Sequence, residues 1–206
     1  MQLTIFFNAP AQVSIPIQYG HLLQGLIYRQ MDNPALRNFL HEQGFALEKR
    51  RFKLFTFSRL MAEEVAYDRE AGRLVLTPPI KLMICSPIPF ILQELGTGFL
   101  RQGLVRLGAA RLEVKEMVTA APKVMQGVVR LQMLSPVVVY STLSSGDGRN
   151  YTYYYSPFEP RFIELVASNL ARKFFLVYGR PAPLEGFDIR PARVNDRDLK
   201  VTYYKE

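Results

Sequence analysis

The chain has 206 residues, 49% of them apolar, with no tryptophan and a single cysteine. That length suits one large domain or two small ones, and the apolar share excludes an intrinsically disordered chain. Lys and Arg exceed Asp and Glu by 26 − 18 = 8, while the lone Cys85 excludes an internal disulfide and a thiolate zinc cluster.

The basicity is spread over the chain. Residues 1–118 hold 14 basic and 10 acidic side chains and residues 119–206 hold 12 and 8, so each half carries +4. A folded basic surface without polybasic runs suits a polyanion, although the same balance occurs in proteins without such a partner. With two histidines and no His/Asp/Glu group at ligand spacing, no resident metal and no cofactor are expected. Met1–Phe7 is too short for a signal peptide, and no window is long enough to span a bilayer. The expectation is a cytoplasmic protein with no membrane association.

Gln2–Asn8 predicts a strand ended by Ala9-Pro10. From Tyr19 to Met31, Leu22, Leu23, Leu26, Ile27 and Met31 recur at helical spacing and mark one buried stripe. At about 100° per residue, Tyr28 falls off the centre of that stripe. Asp32-Asn33-Pro34 supplies a cap and a proline at the first turn of a short helix, with Leu36, Phe39 and Leu40 inward and Gly44 as its stop. On the same step, His41 stands about 140° from that patch and faces away from it. Lys53 opens a β-rich run, Lys53–Arg59. Spacing alone leaves two readings of these three residues. They are a solvated histidine, a half-buried tyrosine and an edge-strand cation, or they meet in one cleft.

Glu63–Gly72 reads as a loop, Arg73–Thr77 as a strand, and Pro78-Pro79 as a break before another strand, Ile80–Cys85. Ile88, Ile91, Leu92, Leu95 and Phe99 give a second long helix, and Arg111–Val118 a returning strand. This order of strand, helix, two strands, helix and strand is ferredoxin-like. Residues 119–123 are the expected boundary, giving domains 1–118 and 119–206. In the second, Val124–Leu134 predicts a strand, and Val137–Ser141 with Tyr151–Tyr155 a hairpin. Ser156-Pro157-Phe158-Glu159 predicts a capped helix carrying Phe162, Leu165, Val166, Leu170 and Phe174 towards Gly179. Gly186–Val194 and Asp198–Tyr204 are two further strand candidates. The expected fold class is α+β with two ferredoxin-like (RRM-like) domains in tandem, the second lacking a final helix and a closing strand.

Gln24-Gly25-Leu26-Ile27-Tyr28, Leu40-His41 and Lys53-Leu54-Phe55-Thr56-Phe57-Ser58 resemble the CRISPR-associated endoribonucleases that cut precursor CRISPR RNA within its repeats. Leu134-Ser135-Pro136 and the stretch from Pro157 to Phe175 are similar to the same family, so the resemblance spans nearly the whole chain. It implies an active site of Tyr28 on the first helix, His41 on the second and Lys53 at the start of a strand. It also implies CRISPR repeat RNA as partner, with an interference complex and a homodimer as further associations. The missing C-terminal part would hold a glycine-rich loop that contacts RNA.

Such a site suits RNA, which brings its own nucleophile in the 2′-hydroxyl. Histidine exchanges protons near its ordinary pKa of about 6.5, lysine offers charge to the phosphorane, and tyrosine orients the 2′-oxygen or shares the proton. No metal is needed, and the product is a 2′,3′-cyclic phosphate with a 5′-hydroxyl. The alternative is a non-cleaving RNA-binding protein of the same fold. Lys49, Arg50 and Arg51 form the densest basic patch and, with Arg59 and Arg149, are the candidate phosphate contacts, against the plainer reading of solvated charges. His21 is a weaker candidate proton carrier. Tyr151 and Tyr153–Tyr155, near Arg149, can stack bases or pack across a hairpin. Gly96-Thr97-Gly98 lacks the surroundings of a phosphate loop.

Overall fold

In the computed structural model, residues 1–125, 127–133, 137–146 and 148–192 are described, and the chain divides into two units, Met1–Met125 and Gln126–Glu206. The first unit begins with β1 (Gln2–Asn8), β2 (Val13–Pro16), α1 (Gly20–Arg29) and α2 (Pro34–Asn38), the last running into a π-helical turn at Phe39–Gln43. Then come β3 (Phe45–Leu47), β4 (Arg50–Phe52), β5 (Thr56–Phe57), β6 (Met61–Asp68) and β7 (Arg73–Cys85). Helix α3 (Pro89–Gln102), β8 (Leu104–Leu107) and β9 (Ala110–Ala120) complete it.

Alternation makes β1 the centre of the main sheet. Leu3, Ile5 and Phe7 are buried on one face, and β1 runs antiparallel between β7 and β9. β6 pairs with the far side of β7, so β6, β7, β1 and β9 stand in the ferredoxin-like order, with β2, β5 and β8 as additions. The apolar stripes of α1 (Leu23, Leu26, Ile27) and α3 (Ile91, Leu92, Leu95, Phe99) join the buried residues of the sheet in one core. The two helices meet without a spacer. A Cβ placed on Gly98 of α3 would stand 1.8 Å from the carbonyl oxygen of Gln30, at the end of α1.

Three strand expectations change in this unit. Glu63–Gly72 is not a loop: Met61–Asp68 is β6, whose exposed, charged residues are held by pairing with β7 and not by burial. Pro78-Pro79 does not end a strand, because β7 runs through it. The prolines fall where β7 passes from β2, paired up to Leu76, to β1, paired from Ile80, and where the β6 register shifts between Ala62 and Glu64. Proline lacks a donor and is tolerated where ladder bonds are interrupted. Lys53–Arg59 is not one strand, since only Thr56–Phe57 pairs in it. The reason is Leu54, whose φ of 52° bends the backbone out of the extended region.

The second unit contains an antiparallel hairpin, β10 (Tyr140–Ser144) with β11 (Asn150–Tyr154), and the 19-residue helix α4 (Pro160–Tyr178). α4 ends at Gly179 in the left-handed region, as expected. Its start is later than the capping pattern indicates. The carboxylate of Glu159 accepts from the Ser156 N–H at 2.6 Å, so these bonds form in the turn before the helix and Glu159 becomes the N-cap position. The first hairpin strand starts at Tyr140 and not Val137. Residues 127–133 and 186–192 form no strand; Leu134-Ser135-Pro136 and Asp198–Tyr204 lie outside the described residues.

Candidate active site

The expected site lies around the π-helical turn. Asn33 caps α2 by accepting from the N–H groups of Ala35 and Leu36, and Pro34 starts the helix. The chain then widens at Phe39–Gln43 and closes where the Gly44 N–H donates to the Phe39 carbonyl at 2.6 Å. Such one-turn widenings occur often at functional sites. Gly44 adopts φ 70° and ψ 179°, and a Cβ there would stand 2.7 Å from the Phe52 carbonyl oxygen. Only glycine lets β4 return this close to the turn. That return delivers Lys53.

Lys53 stands just past β4, and not at the head of a strand, and its ammonium donates to the carbonyl oxygen of His41. Leu54 follows in the left-handed region, buried, with its carbonyl held by the Ser86 hydroxyl at 2.8 Å. The hydroxyl fixes the bend that carries Lys53. His41 is exposed, its side chain at 58% of full accessibility, and its Nδ1 meets the carboxylate of Glu42. The Nε2 edge has no partner among the described residues. Sequence reading missed Glu42, because neighbours in a regular helix do not face each other.

Tyr28 is buried at 6% exposure, which corrects its reading as a half-buried residue beside its stripe. The cover comes from outside its own helix. Its ring stands edge-on to His41 at 5.0 Å between centroids and edge-on to Phe55 at 5.9 Å. Its hydroxyl donates to the Leu40 carbonyl at 3.2 Å. Burial raises the phenol pKa above its usual value of about 10; a hydrogen bond with Gln24 works against this and the Glu42 carboxylate adds to it. Tyr28 therefore stays neutral at physiological pH, as a hydrogen-bonding group and not a base.

Lys49, Arg50 and Arg51 are exposed on the β3–β4 hairpin, directly before Lys53. Arg59 is exposed between β5 and β6. Arg149 belongs to the second unit, where its carbonyl accepts from the Ser145 N–H in the β10–β11 turn. In that hairpin Tyr140 and Tyr154 pack across the strands at 5.7 Å, and Tyr153 packs on Tyr155 at 4.9 Å. His21 is exposed and lines a separate depression that includes none of Tyr28, His41 and Lys53. Gly96 and Gly98 sit inside α3, where Gly98 serves the contact with α1. Among the described residues, no three His, Cys, Asp or Glu side chains are grouped to hold a metal, and no helix is long and apolar enough to cross a membrane.

Comparison with known proteins gives the chain a family. A solved structure described as a CRISPR associated protein Cas6 superposes with a TM-score of 0.65 at 23% identity, over 89% of this chain and 73% of its own. Another, from the characterization of a Cas6-related gene from Pyrococcus furiosus, gives 0.71 at 20% identity over 89% and 73%. A third, described as a RAMP protein binding different RNA substrates, gives 0.63 at 16% identity over 89% and 74%. At these identities the likeness is one of fold, the tandem ferredoxin-like fold. No curated protein matches the chain. The family model for the N-terminal part of CRISPR-associated protein Cas6 matches residues 14–118, and that for the C-terminal part matches residues 119–206. Matched over both halves, the chain belongs to the Cas6 family, which processes CRISPR repeat RNA.

Proposed function

We propose that this protein is itself a repeat-cleaving endoribonuclease that works without a metal ion, its active site lying in residues 1–118. The observation that carries the reading is the gathering of Tyr28, His41 and Lys53 around one π-helical turn, with the histidine ring open to solvent. RNA supplies the nucleophile. His41 moves a proton at its free Nε2, either from the 2′-hydroxyl or to the departing 5′-oxygen, a contribution worth about 10² to 10⁴ in rate. Lys53, held beside His41, turns its ammonium to the charge that grows on the phosphoryl oxygens. Tyr28 packs against the histidine ring in a T-shaped contact and keeps the turn in place through the Leu40 carbonyl. The bond from phosphorus to the 5′-oxygen breaks as that to the 2′-oxygen forms, leaving a 2′,3′-cyclic phosphate and a 5′-hydroxyl.

Lys49, Arg50, Arg51 and Arg59 bring the phosphates of the RNA to this site, and Arg149 is a phosphate contact of the second unit by itself. The test is to incubate the protein with repeat RNA in EDTA. A cut that persists and leaves a cyclic phosphate is expected, as is loss of the cut with a single 2′-deoxy substitution at the scissile position. Activity that needs a divalent ion and gives a 3′-hydroxyl overturns the mechanism. Salt-dependent binding with no cut at all leaves a guide-holding protein instead. Lys53→Ala should slow the cut and weaken RNA binding modestly.

A further inference from the structure

The β10–β11 hairpin has two unlike faces. Residues opposite each other across antiparallel strands share a face, and faces alternate along each strand. The register therefore sets Ser141, Leu143, Tyr151 and Tyr153 on one side and Tyr140, Thr142, Ser144, Asn150, Thr152 and Tyr154 on the other.

The first face is tied to its own unit. Ser141, Leu143 and Tyr155, which continues the alternation, are half-buried. The Tyr153 hydroxyl donates to the Glu159 carboxylate at 3.2 Å, and its ring packs on Tyr155 at 4.9 Å. Glu159 also accepts from the Ser156 N–H, just before α4, so this side of the hairpin is anchored to the start of the helix.

The second face is open along its whole length, since all six of its residues are exposed. Tyr140 and Tyr154 stand at 58% and 65% of full accessibility, although their ring centroids lie 5.7 Å apart. Among the described residues no third strand pairs with the hairpin. Thr142, Thr152, Ser144 and Asn150 lead from the two rings towards the turn, and all end in hydroxyl or amide groups. No side chain on this face is acidic, so nothing on it repels a phosphate, and Arg149 directly precedes it in the chain. The face is a poor fit to an apolar protein partner. The one aliphatic side chain of the two strands, Leu143, points the other way.

We infer that Tyr140 and Tyr154 are a stacking platform for unpaired bases of the repeat RNA, with base edges in reach of the hydroxyl and amide groups beyond them. Every base has a π-face, so the platform tolerates any sequence. The inference rests on the reading of the protein as an RNA-processing nuclease.

The test is the binding of repeat RNA, made uncleavable by a 2′-deoxy substitution, over a range of salt. Tyr140→Leu/Tyr154→Leu should bind about tenfold more weakly. The slope of log K against log salt should not change, because stacking releases no counterions. Tyr151→Leu, on the anchored side, should leave both unchanged. The chain has no tryptophan, so Tyr140→Trp adds a single indole whose emission reports on this face alone. Single-stranded RNA should quench it, and the same RNA annealed to its complement should not. A double variant with wild-type affinity, or an indole indifferent to single-stranded RNA, overturns the inference and leaves the nuclease reading standing. Wild-type protein that shows no salt-dependent affinity for the RNA removes both.

Discussion

Helix α1 and the segment Phe39–Phe57 contribute to the same candidate site on opposite terms. α1 is regular, apolar on one side and pressed against α3 with no side chain between them at Gly98. The segment contains a π-helical turn, strands of three, three and two residues, and two non-glycine residues, Glu48 and Leu54, at positive φ. The helix gives a fixed Tyr28; the irregular segment brings His41 and Lys53 to it. A rigid scaffold and a shaped loop divide the work, as they do in many sites.

If the scaffold is as tight as it looks, its largest response should come at Gly98. Gly98→Ala forces a Cβ into the Gln30 carbonyl, so α1 and α3 must separate, at about 3 kcal/mol of stability. Gly96→Ala, two residues away with open space around it, should instead stabilise by about 0.5–1 kcal/mol. Urea denaturation of the pair checks this, and equal effects would show that the helices do not meet at Gly98. The segment should respond next. Gly44→Ala puts a β-carbon into both a strained backbone conformation and the Phe52 carbonyl, for about 1–3 kcal/mol. RNA cleavage measured where the variant is still folded should also fall, because Lys53 is displaced.

Tyr28 joins the two regions and should show a smaller, pH-dependent effect. Tyr28→Phe loses the hydrogen bond to Leu40, about 0.5–1.5 kcal/mol at neutral pH. Because burial raises the folded-state pKa, the phenol binds its proton more tightly folded than unfolded. Its contribution is therefore full below the unfolded value of about 10 and is lost as pH rises through the higher folded value. Denaturation of both proteins across alkaline pH should show the wild type losing stability relative to Tyr28→Phe.

The same division explains what the sequence made legible. β1, α1 and α3 announce themselves through the spacing of Leu3, Ile5 and Phe7, of Leu23, Leu26 and Ile27, and of Ile91, Leu92, Leu95 and Phe99, because burial on one face leaves a period. β6 leaves none, since it is held by backbone pairing to β7 and carries Glu63 and Glu64 towards solvent. Lys53–Phe57 has the composition of a strand, yet its path is set by Leu54 and by what Ser86 holds. His41, Lys53 and Tyr28 were legible as candidates through their phase and their resemblance to a family. That Tyr28 is buried, and that Glu42 meets His41, depends on cover and on a π-turn that no periodicity encodes.

His41→Ala tests the central claim most directly, and in stability it should be the smallest effect of all. The exposed ring removes little buried contact, so the melting temperature should correspond to a change within about 0.5 kcal/mol. Single-turnover cleavage of repeat RNA should nevertheless fall by about 10² or more, about 2.7 kcal/mol of barrier, with RNA affinity nearly unchanged. A variant that loses stability while its folded fraction cuts at the wild-type rate would make His41 a structural residue and contradict this active site.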